Sequence, residues 1–558
     1  LETTERPRAS RQALDGSLAW AASELAAVAL PRPGELLRLT AATLTFLAVF
    51  ELSGRAQHPF GAMSPGLYVT VVDSIVPCVA AAVAAFAMYR PLRALILILA
   101  LTPLWNTAYI SWQVGPVQVI LQTVFVLTLA VGVAINRPVA GSYLWSAADL
   151  SAAGRTKGFA SFRLAELATV GFLAIAGLST LASHNVTLSA TVLLHGIVEP
   201  IVLAAILVVL RPSRRSLVAV GVALGISIGL GTLLNVLQSL PIMTSFAAVQ
   251  ANRLLFARAS FYNVGLFAAA GAMTVPLVIA ALAARRAVAL PRWATNLLLV
   301  VLAAGLAGLF FSLSKSAWIA TAGGTVLLLM LLVASWRRRL AVLVVGVAMS
   351  TLFIPWPAFF LQVAPSVNQG YRTMMVALVG ESRFDSWNPA TLAGHGSLAE
   401  RFYAIDGAVR MALANPILGV GLDQFGVNYA NPAYRPPQAL DTLDHAHSFF
   451  PEIAAELGPA AAVLVFVIYA AALWAMWRVY RSARDQLTRI LSAGLIASIV
   501  AWLVVATAFG CDIYRPARDL SSDVVASVVV LGAAIALART VHSEKPWRPS
   551  EPTRNVIT

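Results

Sequence analysis

Two histidines stand two residues apart in DTLDHAHSFFPEIAAELG, residues 441–458. They are His445 and His447, with Asp441, Asp444, Glu452 and Glu456 close by in the chain. Imidazole titrates at about pH 6.5, so at neutral pH it can take a proton from an attacking hydroxyl. That makes a general base one reading of the pair. A metal site is another, with Asp441, Asp444 and the distant His395 as further candidate ligands. Two solvated loop histidines are a third. Glu452 and Glu456 are four apart and share a face of an ideal helix. Glu456 lies so near the following apolar run that it needs a polar partner.

Cations upstream could supply a second element of chemistry. Arg253 and Arg258 lie in NRLLFARAS, ahead of an apolar run that begins near Ser260. Lys315 lies in FSLSKSAW, and Arg401 and Arg410 lie in ERFYAIDGAVRMALANP. Arg372, Arg383 and Arg435 fall elsewhere in the stretch 361–450. Guanidinium groups fork onto phosphate oxygens and stay charged at any relevant pH. Several of them converging at membrane level would bind a diphosphate. Taken singly, each also reads as a surface or snorkelling cation.

The elements that must position these residues are apolar. Of 558 residues, 59% are hydrophobic and 11% charged, and the mean hydropathy is +0.79. A soluble domain carries roughly 25% charged residues. Apolar runs of about 20 residues recur, each long enough to cross ~30 Å of hydrocarbon. The expected fold is an all-α polytopic membrane protein with about fourteen spans, the runs 94–110, 116–135 and 453–477 among them. A closed β-barrel would need strands of ~10 residues with alternating polarity, and no such pattern occurs. Cys78 and Cys511 both sit in apolar runs, without the spacing of a zinc or CxxC site.

The net charge of +14 is explained by its distribution rather than by nucleic acid. With alternate loops assigned to opposite sides, most Lys and Arg fall on one side, including RPSRR (211–215), RRAVALPR (285–292) and WRRR (336–339). The positive-inside rule then places both termini in the cytoplasm, with anionic lipid as the partner of the basic charge. The expected organisation is a cytoplasmic tail with an interfacial helix over 1–35, eleven spans over 36–360, a large outer loop over 361–452, three spans over 453–539 and a tail over 540–558. The first long apolar run, near Leu36, is expected to be a retained span.

Inside the large loop, Phe402, Ile405, Val409 and Leu413 form one apolar stripe at helical spacing. Pro416 should end that helix, because the residue before a proline is pushed out of the α region. GVGLDQFG then reads as a glycine-rich turn.

In this order the segments resemble the O-antigen ligase and O-antigen polymerase superfamily. NRLLFARASFYNVGLFAAAGAMTVPL is similar to the family's Arg-containing outer loop entering a span with an early Asn, here Asn263. FSLSKSAWIA is similar to its Ser-Arg-Gly type turn, with Lys315 and Ser316 in place of Arg and Gly. RFYAIDGAVRMALANPILGVGLDQF resembles its loop helix followed by a Pro-x-x-Gly-x-Gly turn. HAHSFFPEIAAELG resembles its His-Asn segment, with Ser448 where Asn is usual. Together these segments cover about residues 250–460, while the earlier spans match only in being apolar.

The resemblance implies a glycosyltransferase of the membrane-embedded GT-C type. Such enzymes move a glycan from undecaprenyl diphosphate to an acceptor hydroxyl on the outer side of the bacterial inner membrane, without metal, nucleotide or other cofactor. It implies His447 as the catalytic base, because the family's histidine directly precedes the Asn position. It also implies Arg258 and Arg401 as the diphosphate-binding catalytic cations. Lys315, Arg253, Arg410, Asn263, Asp444, His445 and Glu456 are the candidate substrate-binding residues. Ser448 is expected to cap the helix that follows it, as Asn would. The implied partners are the lipid-linked donor, a glycan or glycolipid acceptor and membrane lipids. A glycolipid transporter is the rival class, with Asp73, Glu166 and Glu199 as its candidate intramembrane acids.

Overall fold

The structure, a computed structural model, describes residues 76–102, 111–114, 117–135, 157–239, 264–312, 314–353, 397–437, 439, 443, 445–508 and 522–543. Helices α1 (Val76–Tyr89) and α2 (Pro91–Ala100) come first. A two-stranded antiparallel hairpin follows, β1 (Ser111–Val114) with β2 (Val117–Ile120), leading directly into α3 (Leu121–Ile135). The apolar run expected to span from 116 therefore starts as strand, and only its part from Leu121 is helical. Next come α4 (Lys157–Ala182), α5 (Val186–Val192), a π-helical stretch (Leu193–Val198) and α6 (Glu199–Val209). The bundle continues with α7 (Arg214–Ser239), α8 (Val264–Ala284), α9 (Arg292–Ser312), α10 (Lys315–Leu332) and α11 (Trp336–Phe353). Then come α12 (Ser397–Ala414), α13 (Phe425–Tyr429) and α14 (Phe449–Leu457), within the stretch expected to be the large outer loop and just past it. Helices α15 (Pro459–Ser482), α16 (Gln486–Ala508) and α17 (Ser522–Ser543) close the described chain.

Among the described residues, six helical segments are long and apolar enough to cross a membrane: 164–182, 186–209, 214–233, 292–309, 459–482 and 486–507. Five shorter apolar helices accompany them. Helix α8 sits near the centre of the bundle and contacts α7, α9, α10, α16 and α17. It is rich in buried small residues, among them Ala268, Ala269, Ala272 and Ala281. Small side chains let helices approach closely where lipid supplies no hydrophobic drive to associate. Ser498 on α16 adds a polar tie, donating to the Met273 carbonyl on α8 at 2.7 Å.

The two ends of the bundle have different characters. At one end Arg214 pairs with Asp485 at 3.1 Å, and Arg539 pairs with Glu166. Burial alone would push Asp485 up, but the Thr488 N–H and hydroxyl and the Arg214 guanidinium outweigh it, so its pKa is lowered. At the other end the corner between α4 and α5 meets the turn after α12, where Ser189 Oγ donates to the Leu422 carbonyl. The basic cluster and the histidine segment thus lie at opposite ends of the helices.

One expected span divides in two. The run from 453 is not continuous, because the helix breaks at Gly458 with φ +89° and restarts at Pro459. Proline at the first helical position is well suited to that restart. Glu452 and Glu456 therefore belong to a separate nine-residue helix, α14, ahead of the span.

Candidate functional site

The turn after α12 is built to dock on the end of α14. Its helix stops at Ala414, two residues before Pro416. The turn then donates Val420 N–H to the Ala455 carbonyl at 2.8 Å and Gly421 N–H to the Glu456 carbonyl at 3.1 Å. Both acceptors are carbonyls in the last turn of α14, which have no partner within their own helix. Ser179 Oγ, near the end of α4, lies 2.9 Å from both the Leu418 and the Glu456 carbonyls and shares its proton between them. Gly419 has φ +66°, and a Cβ there would fall 2.3 Å from the Glu456 carbonyl carbon. Glycine is required at that position by both backbone conformation and space.

Glu456 completes the docking from its side chain. It is 2% exposed, and its two carboxylate oxygens accept N–H groups from Asp423 at 2.9 Å and Phe425 at 3.0 Å. Burial pushes its pKa up to about 7, against the pull of the Asp423, Phe425 and Gln424 N–H groups. The substrate-binding candidate Glu456 is thus directed at the backbone of the turn.

The histidine pair lies just before α14. His445 Nε2 and His447 Nδ1 are 2.8 Å apart, with ring planes inclined by 65°. His445 is buried and His447 half-buried. His447 has φ +53°. A left-handed backbone costs a non-glycine residue roughly 1–2 kcal/mol. Such a conformation persists only where the surroundings enforce it. The surroundings here are well defined. Phe449 packs edge-on to Trp502 with ring centroids 4.9 Å apart, and Tyr469 stacks on Trp502 at 4.8 Å. Ser448 does not cap α14 as expected. Its hydroxyl instead donates to the Thr507 carbonyl at 2.9 Å, because the end of α16 lies within its reach. Ser448 and Phe449, the two residues after His447, are thereby tied to the membrane bundle.

A small core of its own holds α12 against this segment. Ala404, Ala408 and Met411 pack with Phe425, Tyr429, Ala446 and Ala455. Burial, with Glu400 adding to it, pushes the Tyr429 phenol up to about 12 against the opposing Arg435 charge. Arg401 lies at the edge of this packed face and is half-buried. Arg410 is on the opposite side of α12, where it pairs with Asp406 at 2.9 Å and is largely exposed. Nine residues at 100° per residue put two side chains on opposite faces, so Arg401 and Arg410 do not converge. Lys315 opens α10 directly after Ser314, whose hydroxyl accepts from Ala317 N–H at 3.5 Å. Arg253, Arg258, Asn263 and Asp444 lie outside the described residues, as do Asp441, Asp73 and His395. Among the described residues, no three His, Cys, Asp or Glu side chains gather as a metal site.

Sequence reasoning passed over Ser179, Glu400 and Tyr429. Ser179 carries no local signal, because its partners are more than 230 residues away. Glu400 could have been noticed as an acid in the first turn of α12, on the side that packs.

Residues 298–466 match the family model for O-antigen ligase. Over that segment the chain is similar to O-antigen ligase, and most of the chain lies outside the match. The matched span contains Lys315, Arg401, the docked turn, both histidines and Glu456. No curated protein matches the chain. The match and the apolar helices together support an integral membrane protein with a segment similar to O-antigen ligase.

Proposed function

We propose that the protein transfers a glycan from undecaprenyl diphosphate to an acceptor hydroxyl, with His447 as the general base. The observation that carries the proposal is His447 itself: a left-handed residue, paired ring to ring with His445, inside the O-antigen ligase span. For His447 to act as base, its Nδ1–H donates to His445 Nε2, which leaves Nε2 with a lone pair. His445 then fixes the tautomer and steadies the imidazolium that forms. The acceptor oxygen attacks the anomeric carbon as its proton passes to His447 Nε2. The bond from that carbon to the diphosphate oxygen breaks, and the electron pair leaves with the diphosphate. Attack opposite the leaving group inverts the anomeric centre.

Arg401 and Arg258 bind the departing diphosphate, where charge develops in the transition state. Lys315 supports them as a point charge without the bidentate fork. Arg253, Asn263 and Asp444 contact donor or acceptor, and Arg410 engages substrate only on the outer side of α12. Glu456 is assigned to holding the turn that frames the site. No metal or cofactor takes part in this scheme. The reaction is placed on the outer face of the bacterial cytoplasmic membrane, in a chain of about fourteen spans with both termini in the cytoplasm. A ligase is favoured over a polymerase because the matching segments surround one large outer loop. The test is release of undecaprenyl diphosphate by purified protein given lipid-linked glycan and candidate acceptors. Movement of the intact lipid across a liposome, with no release, would identify a transporter instead.

A further inference from the structure

Apart from Ile405, which is partly buried, the apolar stripe of α12 does not pack on the other described residues. Phe402 is 63% exposed, Val409 45% and Leu413 75%, and Ile417, just past the helix, is 78% exposed. The packed face of the same helix is made by Ala404, Ala408 and Met411. The stripe runs about 17 Å along the helix, from Phe402 to Leu413, at 1.5 Å per residue. Exposed apolar side chains of this size, in a row, mark an interaction surface.

The level of that surface is fixed by its lower end. The Ile417 carbonyl lies against Gly458, the residue that starts the apolar helix α15, and a Cβ on Gly458 would fall 2.5 Å from it. The next carbonyl, Leu418, accepts from Ser179 close to the end of the apolar helix α4. On those two helices Leu178, Leu181, Val463 and Phe466 are themselves more than half exposed, as lipid-facing residues must be. Leu413 and Ile417 therefore continue the lipid-facing surface of α4 and α15 past the ends of the spans. The charges bordering the stripe suit the same environment. Asp406 and Arg410 neutralise each other within the helix at 2.9 Å, which leaves no net charge to hold the face in water.

We propose that α12 is an interfacial helix, lying on the membrane with Phe402, Val409, Leu413 and Ile417 buried in the acyl-chain boundary of the lipid leaflet. Interfacial helices of this type sink their apolar face about 5–10 Å into the headgroup and acyl region. Held in that way, α12 keeps Arg401 at headgroup level, the depth of any lipid diphosphate.

The experiment uses the full chain in proteoliposomes, with Cys78 and Cys511 replaced by serine and one cysteine placed at a time. An environment-sensitive fluorophore is attached in Phe402→Cys, Val409→Cys or Leu413→Cys. Leu181→Cys serves as a span control and Asn431→Cys as an exposed polar control. Lipids carrying a quencher high on the acyl chain should quench the three α12 labels to a degree close to Leu181→Cys, with blue-shifted emission. Asn431→Cys should be quenched by aqueous iodide alone. Labels at 402, 409 and 413 that behave like the one at 431 would overturn the proposal. So would labels shielded from both quenchers, since the stripe would then be covered by another segment or a second copy.

Discussion

Replacing Glu456 by glutamine tests the docking of the turn most sharply, because two effects with different pH behaviour meet at one side chain. The carboxylate accepts N–H groups from Asp423 and Phe425, one on each oxygen. Glutamine keeps one oxygen and turns an NH2 toward the other donor. An orphaned buried N–H costs about 1–3 kcal/mol. Against this, burial raises Glu456 from its ordinary 4.5 to about 7. The docked state therefore holds its proton more tightly than an open state does. That contribution is fully present below about pH 4.5 and is lost as pH rises through about 7, a total of about 3 kcal/mol. Glu456→Gln has no such proton. The cost of the substitution should thus be greatest at low pH and shrink toward about pH 8. Amide hydrogen exchange at Asp423 and Phe425, compared between the two proteins at each pH, reads this directly. At about pH 5 the variant should lose roughly thirtyfold in protection, corresponding to ~2 kcal/mol. A difference that stays constant with pH, or grows as pH rises, would refute the reasoning.

Gly419→Ala should undo the same docking by steric means, since its Cβ would sit 2.3 Å from the Glu456 carbonyl carbon at φ +66°. A loss of roughly 2 kcal/mol or more is expected, measured as a fall in thermal stability in detergent with the turn amides exposed to exchange. Phe449→Ala removes the ring that packs on Trp502 and should cost about 3–5 kcal/mol, visible as a changed Trp502 fluorescence and a lower unfolding temperature. His445→Phe preserves a ring but removes the acceptor for His447 Nδ1–H. It should lower kcat by about tenfold or more and move the acidic limb of the pH–rate profile, with little change in KM for the donor.

Parts of this site were legible in the sequence for physical reasons. Hydropathy reported the membrane class, because spanning ~30 Å demands apolar length. The end of α12 was legible because Pro416 restricts the residue before it. What was not legible depends on distant partners. Ser448 looked like a cap, yet its hydroxyl reaches Thr507, 59 residues away. The stripe through Phe402, Val409 and Leu413 was found by periodicity. Periodicity cannot tell a protein core from lipid, and in α12 the alanine face made the closer contact. Gly458 broke a run that hydropathy alone joined into one span. Arg253, Arg258, Asn263 and Asp444 rest on the sequence and its resemblance alone.

The most direct measurement of the central claim is glycan transfer by purified His447→Ala and Arg401→Ala proteins from a lipid-linked donor to its acceptor. Loss of the base should lower kcat by about 10²–10⁴-fold, and loss of Arg401 should weaken both donor binding and turnover, with folding unchanged by exchange and thermal unfolding. Full transfer by both variants would contradict the assignment of this site.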